Sequence, residues 1–156
     1  MKVTKRNGEL QKLDFNKVKN RINKIIKEKN LNLNSDELSL IIFSHIFDSV
    51  KTSELDELTA RLSLILSFKN PDYNILSNYI IISNNHKTTF NNFTDKIKYI
   101  YKNSNLLNQN FYEKCLNLSD FINGIINYEK DFKYNYIGFK VLENAYLLKI
   151  KNKIIE

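Results

Sequence analysis

The sequence has a single cysteine, Cys115, in 156 residues. That excludes an intramolecular disulfide. Neither Cys115 nor the two histidines, His45 and His86, has a neighbour at metal-ligand spacing, so a zinc-nucleated fold is excluded as well. Cys115 lies in an apolar helical pattern without a basic motif, which reads as a buried structural thiol rather than a nucleophile. A chain that uses no disulfide fits a reducing compartment, and the cytoplasm is the expected one. No apolar run approaches about twenty residues and no hydrophobic segment opens the chain, so neither a membrane-spanning helix nor a signal peptide is expected. Glycine-rich phosphate loops of the GxGxxG and P-loop kinds are also missing, so a phosphate site here must be built another way.

Acidic residues are scarce at one end only. Residues 1–30 hold ten Lys and Arg against Glu9, Asp14 and Glu28, which accounts for the whole formal charge of +7; the remainder holds fourteen of each sign. A one-ended basic field attracts phosphate, whether of a nucleotide, a nucleic acid or an acidic partner. The chain is also rich in Asn, Lys and Ile, a compositional bias that lowers the weight of any argument from lysine counts.

The chain is organised around residues 3–13, Val-Thr-Lys-Arg-Asn-Gly-Glu-Leu-Gln-Lys-Leu. Asn7-Gly8 between two extendable runs predicts a β-hairpin closed by a two-residue type I′ turn. Side chains alternate across such a ribbon, so one of Lys5 and Arg6 faces the body and the other the rim. The pair is either a solvated basic turn or the lid of an anion site. A lone hairpin is marginal in water and must lie on helices.

Those helices are legible. Phe15, Val18, Ile22, Ile25 and Ile26 repeat at helical spacing behind a capping Asp14, predicting a helix over residues 15–28. Asn34 and Glu37 form a capping box before Leu38, Ile41, Ile42 and Ile46. Thr52 or Ser53 opens a third helix with an inward stripe of Leu55, Leu58, Leu62, Ile65 and Leu66, and Glu54, Asp56 and Glu57 in its first turn suit the helix dipole. Asn70-Pro71-Asp72 starts a fourth helix that carries Ile75, Leu76, Tyr79, Ile80 and Ser83 inward. Apolar spacing continues through Phe90, Phe93, Ile97 and Ile100, and a boundary is placed near residue 91. Beyond it, residues 111–118 and 121–128 read as short helices, and residues 146–155 as a hairpin about Lys151-Asn152, without a partner.

The order of these features resembles a known family. Val3-Thr-Lys-Arg-Asn-Gly, Phe15-Asn-Lys-Val, Thr52-Ser-Glu-Leu-Asp-Glu-Leu, Asn70-Pro-Asp-Tyr and Ile82-Ser-Asn-Asn-His-Lys together resemble the ATP-cone of ribonucleotide reductase. Asp131-Phe-Lys-Tyr-Asn-Tyr-Ile-Gly-Phe-Lys-Val-Leu-Glu-Asn-Ala-Tyr-Leu-Leu-Lys-Ile resembles the entry to the class I large subunit, so the likeness covers nearly the whole chain. The resemblance implies a mainly α fold, with an N-terminal β-hairpin on a four-helix ATP-cone, then short helices and a C-terminal hairpin. It divides the chain into a cone at residues 1–91 and, at residues 92–156, the truncated beginning of the large subunit's N-terminal helical domain.

It also implies an allosteric site for ATP or dATP with Mg²⁺. Lys5 and Arg6 match the hairpin cations that meet phosphates, and Lys87 matches a lysine reaching the same phosphates. Thr52 and Asp56 match a phosphate- or sugar-side threonine and the aspartate that reads the deoxynucleotide. Lys17 matches a residue near the base, and Gln11 stands where relatives place a glutamate beside the adenine. Arg61, Tyr79, Asn85 and Asn144 depart from the family pattern. The family's radical and redox chemistry needs several cysteines, so the expectation is a non-catalytic regulatory piece, a fragment or split-gene product. Its expected partners are the remainder of the large subunit, the radical-generating small subunit and further copies of itself. The alternative is an orphan nucleotide-sensing or nucleic-acid-binding regulator that uses the basic first helix.

Overall fold

The computed structural model describes residues 1–156. Strands β1 (Lys2–Thr4) and β2 (Leu10–Lys12) pair antiparallel, with Val3 opposite Gln11. The turn between them is not the two-residue type I′ turn. Lys5 N–H donates to Glu9 C=O and Gly8 N–H to Lys5 C=O, and Gly8 alone has a positive φ, +87°. This is a three-residue loop closed by a glycine bulge, and it puts Arg6 at the tip. The ribbon also gains a strand that the sequence does not reveal: β3 (Val50–Lys51) runs parallel to β1, giving the order β2-β1-β3. Lys2 N–H donates to Asp48 Oδ1 (2.7 Å) and Ser49 N–H to Lys2 C=O (2.9 Å), which fixes that register.

Helix α1 (Phe15–Glu28) is capped by Asp14, whose side chain accepts from the N–H groups of Asn16 and Lys17. Asn30 ends it in the left-handed region, with Leu31 N–H donating back to Ile26 C=O. Helix α2 (Ser35–Ser44) is capped by Asn34, but the expected box does not close: Glu37 turns instead to Lys69, 3.1 Å away. Helix α3 (Thr52–Leu66) follows β3 directly, and Glu54 Oε2 accepts from Lys51 N–H (3.3 Å). Helix α4 (Asp72–Thr88) begins with Asn70 Oδ1 accepting from Asp72 N–H, Pro71 already holding helical angles.

The antiparallel pair α3 and α4 forms the centre. Ala60, Ser63 and Ser77 are fully buried between them, and Ser77 Oγ donates to Ala60 C=O (2.7 Å). Small residues let the backbones approach, and the two hydroxyls bond to carbonyls inside the pair. The inward assignment of Ile65 and Ile75 is therefore corrected: both are exposed, and Thr59, Ser63 and Ser77 take up the buried face. Because the pair is antiparallel, the start of α3 and the end of α4 lie together beneath the hairpin.

Beyond α4 come α5 (Phe93–Asn103), α6 (Gln109–Asn117), α7 (Ser119–Ile125), a 3-10 turn (Tyr128–Lys133) and α8 (Tyr136–Ala145). Helix α8 lies where the sequence shows only a dense apolar set. Asn135 caps it, and Phe139 enters the main core. The last hairpin, β4 (Lys149–Ile150) and β5 (Lys153–Ile154), does turn about Lys151-Asn152, both with positive φ. It is not unpartnered, since Ile150 and Ile155 pack with Ile97, Ile100 and the buried thiol of Cys115 in a second, smaller core. No helix is long and apolar enough to cross a membrane.

Candidate functional site

Three helical faces and the hairpin tip converge beneath the sheet. Lys17, Arg21 and Ile25 lie at i, i+4 and i+8 on α1, with Val18 and Ile22 beside them. Thr52, Leu55, Asp56 and Thr59 lie at i, i+3, i+4 and i+7 on α3, and Ile80, Asn84 and Lys87 at i, i+4 and i+7 on α4. The glycine-bulge loop lowers Arg6 into the space between them. Its Nη2 donates to Asp56 Oδ2 (3.0 Å) and Asn84 Oδ1 (2.6 Å), while Asn84 Nδ2 donates to Ser53 C=O (3.1 Å). Lys5 faces the rim, where it pairs with Glu9 at 3.6 Å. One cation in and one out is the alternation expected of a ribbon.

Asp56 is the hub. It is 5% exposed, so its role is not that of a solvated carboxylate serving the helix dipole. Arg6 and Arg21 contact its two oxygens, and Lys87 Nζ stands 3.8 Å from Oδ2. One carboxylate faces three cations, and all three titrate below their ordinary values, first of all because they are buried. Burial, then the charges of Arg21 and Arg6, push Lys87 down to about 8. Burial, then Arg6, hold Arg21 at about 10, and burial lowers Arg6 as well.

Two adjoining spaces lie at this hub. A cavity of about 160 Å³ is walled by Val18, Ile22, Ile25, Leu55 and Ile80, with Arg6, Lys17, Arg21, Thr52, Asp56 and Thr59 supplying its polar groups. A groove of about 480 Å³ shares Arg6 and Thr52 with it and is lined by Lys5, Lys51, Lys87, Lys153, Thr4, Ser53, Thr88 and Gly8. The groove holds five cations and no carboxylate, so it suits an anion. An apolar-walled cavity beside a cationic groove suits a molecule with a flat, weakly polar body and a highly charged tail.

The seven residues singled out in the sequence divide between these spaces. Arg6 and Thr52 border both, Lys17 and Asp56 line the cavity, and Lys5 and Lys87 line the groove. Gln11 lines neither: it lies exposed on β2, at the open edge of the sheet. Sequence reasoning missed Arg21, Asn84 and Lys51. Arg21 follows Lys17 by one turn and borders the apolar stripe of Ile22 and Ile25, a cation on the face of α1 that turns inward. That placement was the available signal.

With the geometry in view, the comparisons decide the family. The ATP cone domain matches residues 1–88. The chain belongs to the ATP-cone family. Along its whole length it is also similar to the large subunit of ribonucleoside-diphosphate reductase. The identity is 36% to the variola virus protein, 37% to that of Dictyostelium discoideum and 34% to that of Danio rerio. All of this chain is covered in each case, against 21%, 19% and 21% of those relatives. The chain thus spans about a fifth of the length of the curated relatives it matches. Residues 1–88 are a regulatory, nucleotide-binding type of domain, and the segment after them keeps the likeness to the same subunits.

Proposed function

We propose that this ATP cone binds ATP or dATP, with Mg²⁺ on the phosphates, and serves as the regulatory N-terminal region of a ribonucleoside-diphosphate reductase large subunit. On this reading residues 92–156 begin that subunit's N-terminal helical domain. The observation that carries the proposal is the charge imbalance at Asp56. Arg21 Nη2 is buried without a hydrogen-bond partner, and Lys87 is held at about 8 by burial first and then by the neighbouring charges of Arg21 and Arg6. A buried guanidinium N–H without an acceptor costs free energy that an incoming oxygen recovers. The fit to a nucleotide follows. The aliphatic wall of the cavity takes the base, Asp56 and Thr52 face the sugar, and Arg6, Lys5 and Lys87 hold the phosphates through charge-assisted hydrogen bonds.

Within that assembly the partners are the remainder of the subunit, the radical-generating small subunit and further copies of the chain. The lone buried thiol fits a reducing cytoplasmic setting. The nucleic-acid reading is not favoured. Of the five cations on the first helix, Lys19 pairs with Asp36 (2.5 Å), Lys24 pairs with Glu28 (3.6 Å) and Arg21 is turned to the hub, which leaves only Lys17 and Lys27 without an ion pair.

Calorimetry on the 156-residue chain tests the reading. Saturable binding of ATP and dATP in the presence of Mg²⁺ is expected. Absence of binding by either nucleotide at about millimolar concentration, where the binding free energy is only about 4 kcal/mol, overturns it.

A further inference from the structure

The groove has a wall that the ATP cone does not supply. Lys153 belongs to β5 of the C-terminal hairpin, beyond the matched residues 1–88, yet it lines the cationic groove beside Arg6, Lys51 and Lys87. Its ammonium stands 5.5 Å from the centroid of Phe90 and 5.6 Å from that of Tyr99, two rings that are themselves 5.1 Å apart. The aromatic pair holds the charge by its ring faces without neutralising it. Lys5 and Lys51 pair with Glu9 and Glu54, whereas Lys153 has no ion pair at all.

The strand under Lys153 is firmly placed. The turn at Lys151-Asn152 has the positive φ values of a tight hairpin, Ile155 is fully buried, and Ile150 is nearly so. Asn85 Nδ2 donates to the carbonyl of Glu156 (3.2 Å), tying the hairpin to α4 between Asn84 and Lys87, both of which face the hub. A cation on so short a tether does not need to be recruited from solvent. It already lines the groove that an anion would fill, and it lies outside the cavity proposed for the base.

We propose that Lys153 of the C-terminal hairpin, the fifth cation of the groove, is a further phosphate-binding group, so that a bound nucleoside polyphosphate clamps the hairpin onto the cone. This rests on the nucleotide reading above. It adds that the ligand spans two parts of the chain, with the nucleoside held by the cone alone and the phosphates held jointly. Filling the groove then stiffens the hairpin and, through Ile150 and Ile155, the second core against α5 and α6.

The test compares the full chain with Lys153→Gln, Lys153→Arg and Lys151→Gln by calorimetry with ATP and Mg²⁺, and follows amide exchange in residues 149–155. Lys151 is the control: it occupies the tip of the same hairpin but reaches Asn103 rather than the groove. Lys153→Gln is expected to weaken ATP binding roughly tenfold, the effect of one charge-assisted hydrogen bond. Lys153→Arg should restore most of the affinity, and Lys151→Gln should leave it unchanged. ATP should slow exchange in the hairpin of the parent chain and not in Lys153→Gln. Equal affinity in the parent and Lys153→Gln, or an equal loss in Lys151→Gln, overturns this inference while the nucleotide reading stands. If the parent chain binds no nucleotide, both fail.

Discussion

Residues 1–88 and residues 93–156 solve the same packing problem with unequal means. In the first region α1, α3 and α4 run 14, 15 and 17 residues, long enough for each to present a full apolar stripe. In the second, α5 to α8 run 7 to 11 residues, and the local core reduces to Ile97, Ile100, Cys115, Ile150 and Ile155. Short helices bury little, so the second region borrows. Phe139 enters the core of the first, Phe132 stacks on Tyr79 with centroids 4.6 Å apart, and Tyr136 N–H donates to Asn78 Oδ1 (2.7 Å). The cone is therefore expected to hold by itself, and the segment after it to depend on its docking to the cone.

The largest effect should come from breaking the cone. Leu76 is fully buried in the first core, and Leu76→Ala is expected to cost about 2–5 kcal/mol. For a chain of this size that lowers Tm by roughly 4–20 °C. Both regions should melt together, since the second loses its support. Ile155 is just as buried, yet Ile155→Ala should open only residues 93–156, seen as faster amide exchange there with residues 15–88 unchanged. Equal loss of protection in both regions would make the chain one cooperative unit.

Next comes the site, where Arg21→Met keeps most of the apolar stem and removes the charge. Nucleotide affinity is expected to fall by about 1.5–3 kcal/mol, or ten- to a hundredfold, measured by calorimetry. An unchanged affinity would show that Arg21 serves Asp56 alone.

Arg21 also marks where sequence reading ran out. The four cone helices were legible because stripes such as Ile22, Ile25 and Ile26 repeat at 3.6 residues and caps such as Asp14 and Asn34 stand before them. Asp56 and Arg21 lie on those same helices, but periodicity assigns a charge to the outer face, and only the packed structure shows two charges turned inward to neutralise each other. β3 is two residues long and shows no period, and its position depends on Ser49 at φ 63°. Helix α8 is not legible from its own residues because the groups that seat it, Glu57 and Asn78, lie more than fifty residues away in sequence. Asn-Gly signalled a turn correctly. That the turn takes three residues was decided by the pairing of Lys5 with Glu9.

The two regions also carry lysines shifted in opposite directions, and pH separates them. Lys87 in the cone, held at about 8, is charged only reluctantly, whereas a bound phosphate keeps the proton on. Binding above about pH 8 must therefore take up a proton, and ATP affinity should fall by up to about tenfold per pH unit there. Lys87→Gln should flatten that slope, and a parent profile flat between about pH 7.5 and 9.5 would contradict it. The sign for folding is reversed. The folded value lies below the unfolded 10.5, so this lysine weakens the free protein below about pH 8, and the burden lifts as pH rises from there to about 10.5.

Lys140 on α8 is the opposite case and should give the smallest effect. Burial opposes its charge, but hydrogen bonds to Glu143 and Glu57, each 2.5 Å, outweigh burial and raise it above 10.5. A lysine with a raised folded value contributes stability that is fully present below 10.5 and is lost only as pH rises past the folded value. Because the bridge to Glu57 joins α8 to α3, it fastens the second region to the first, although it lies near the surface. Lys140→Met should therefore cost only about 0.5–1 kcal/mol, and the difference from the parent should stay constant between about pH 6 and pH 9, where Lys140 remains charged throughout. Urea denaturation across that range measures it. A difference that shrinks towards pH 9 would show that burial wins over the two carboxylates. A cost well above about 1 kcal/mol would mean that charge, rather than Phe139 and the Phe132–Tyr79 stack, holds the two regions together.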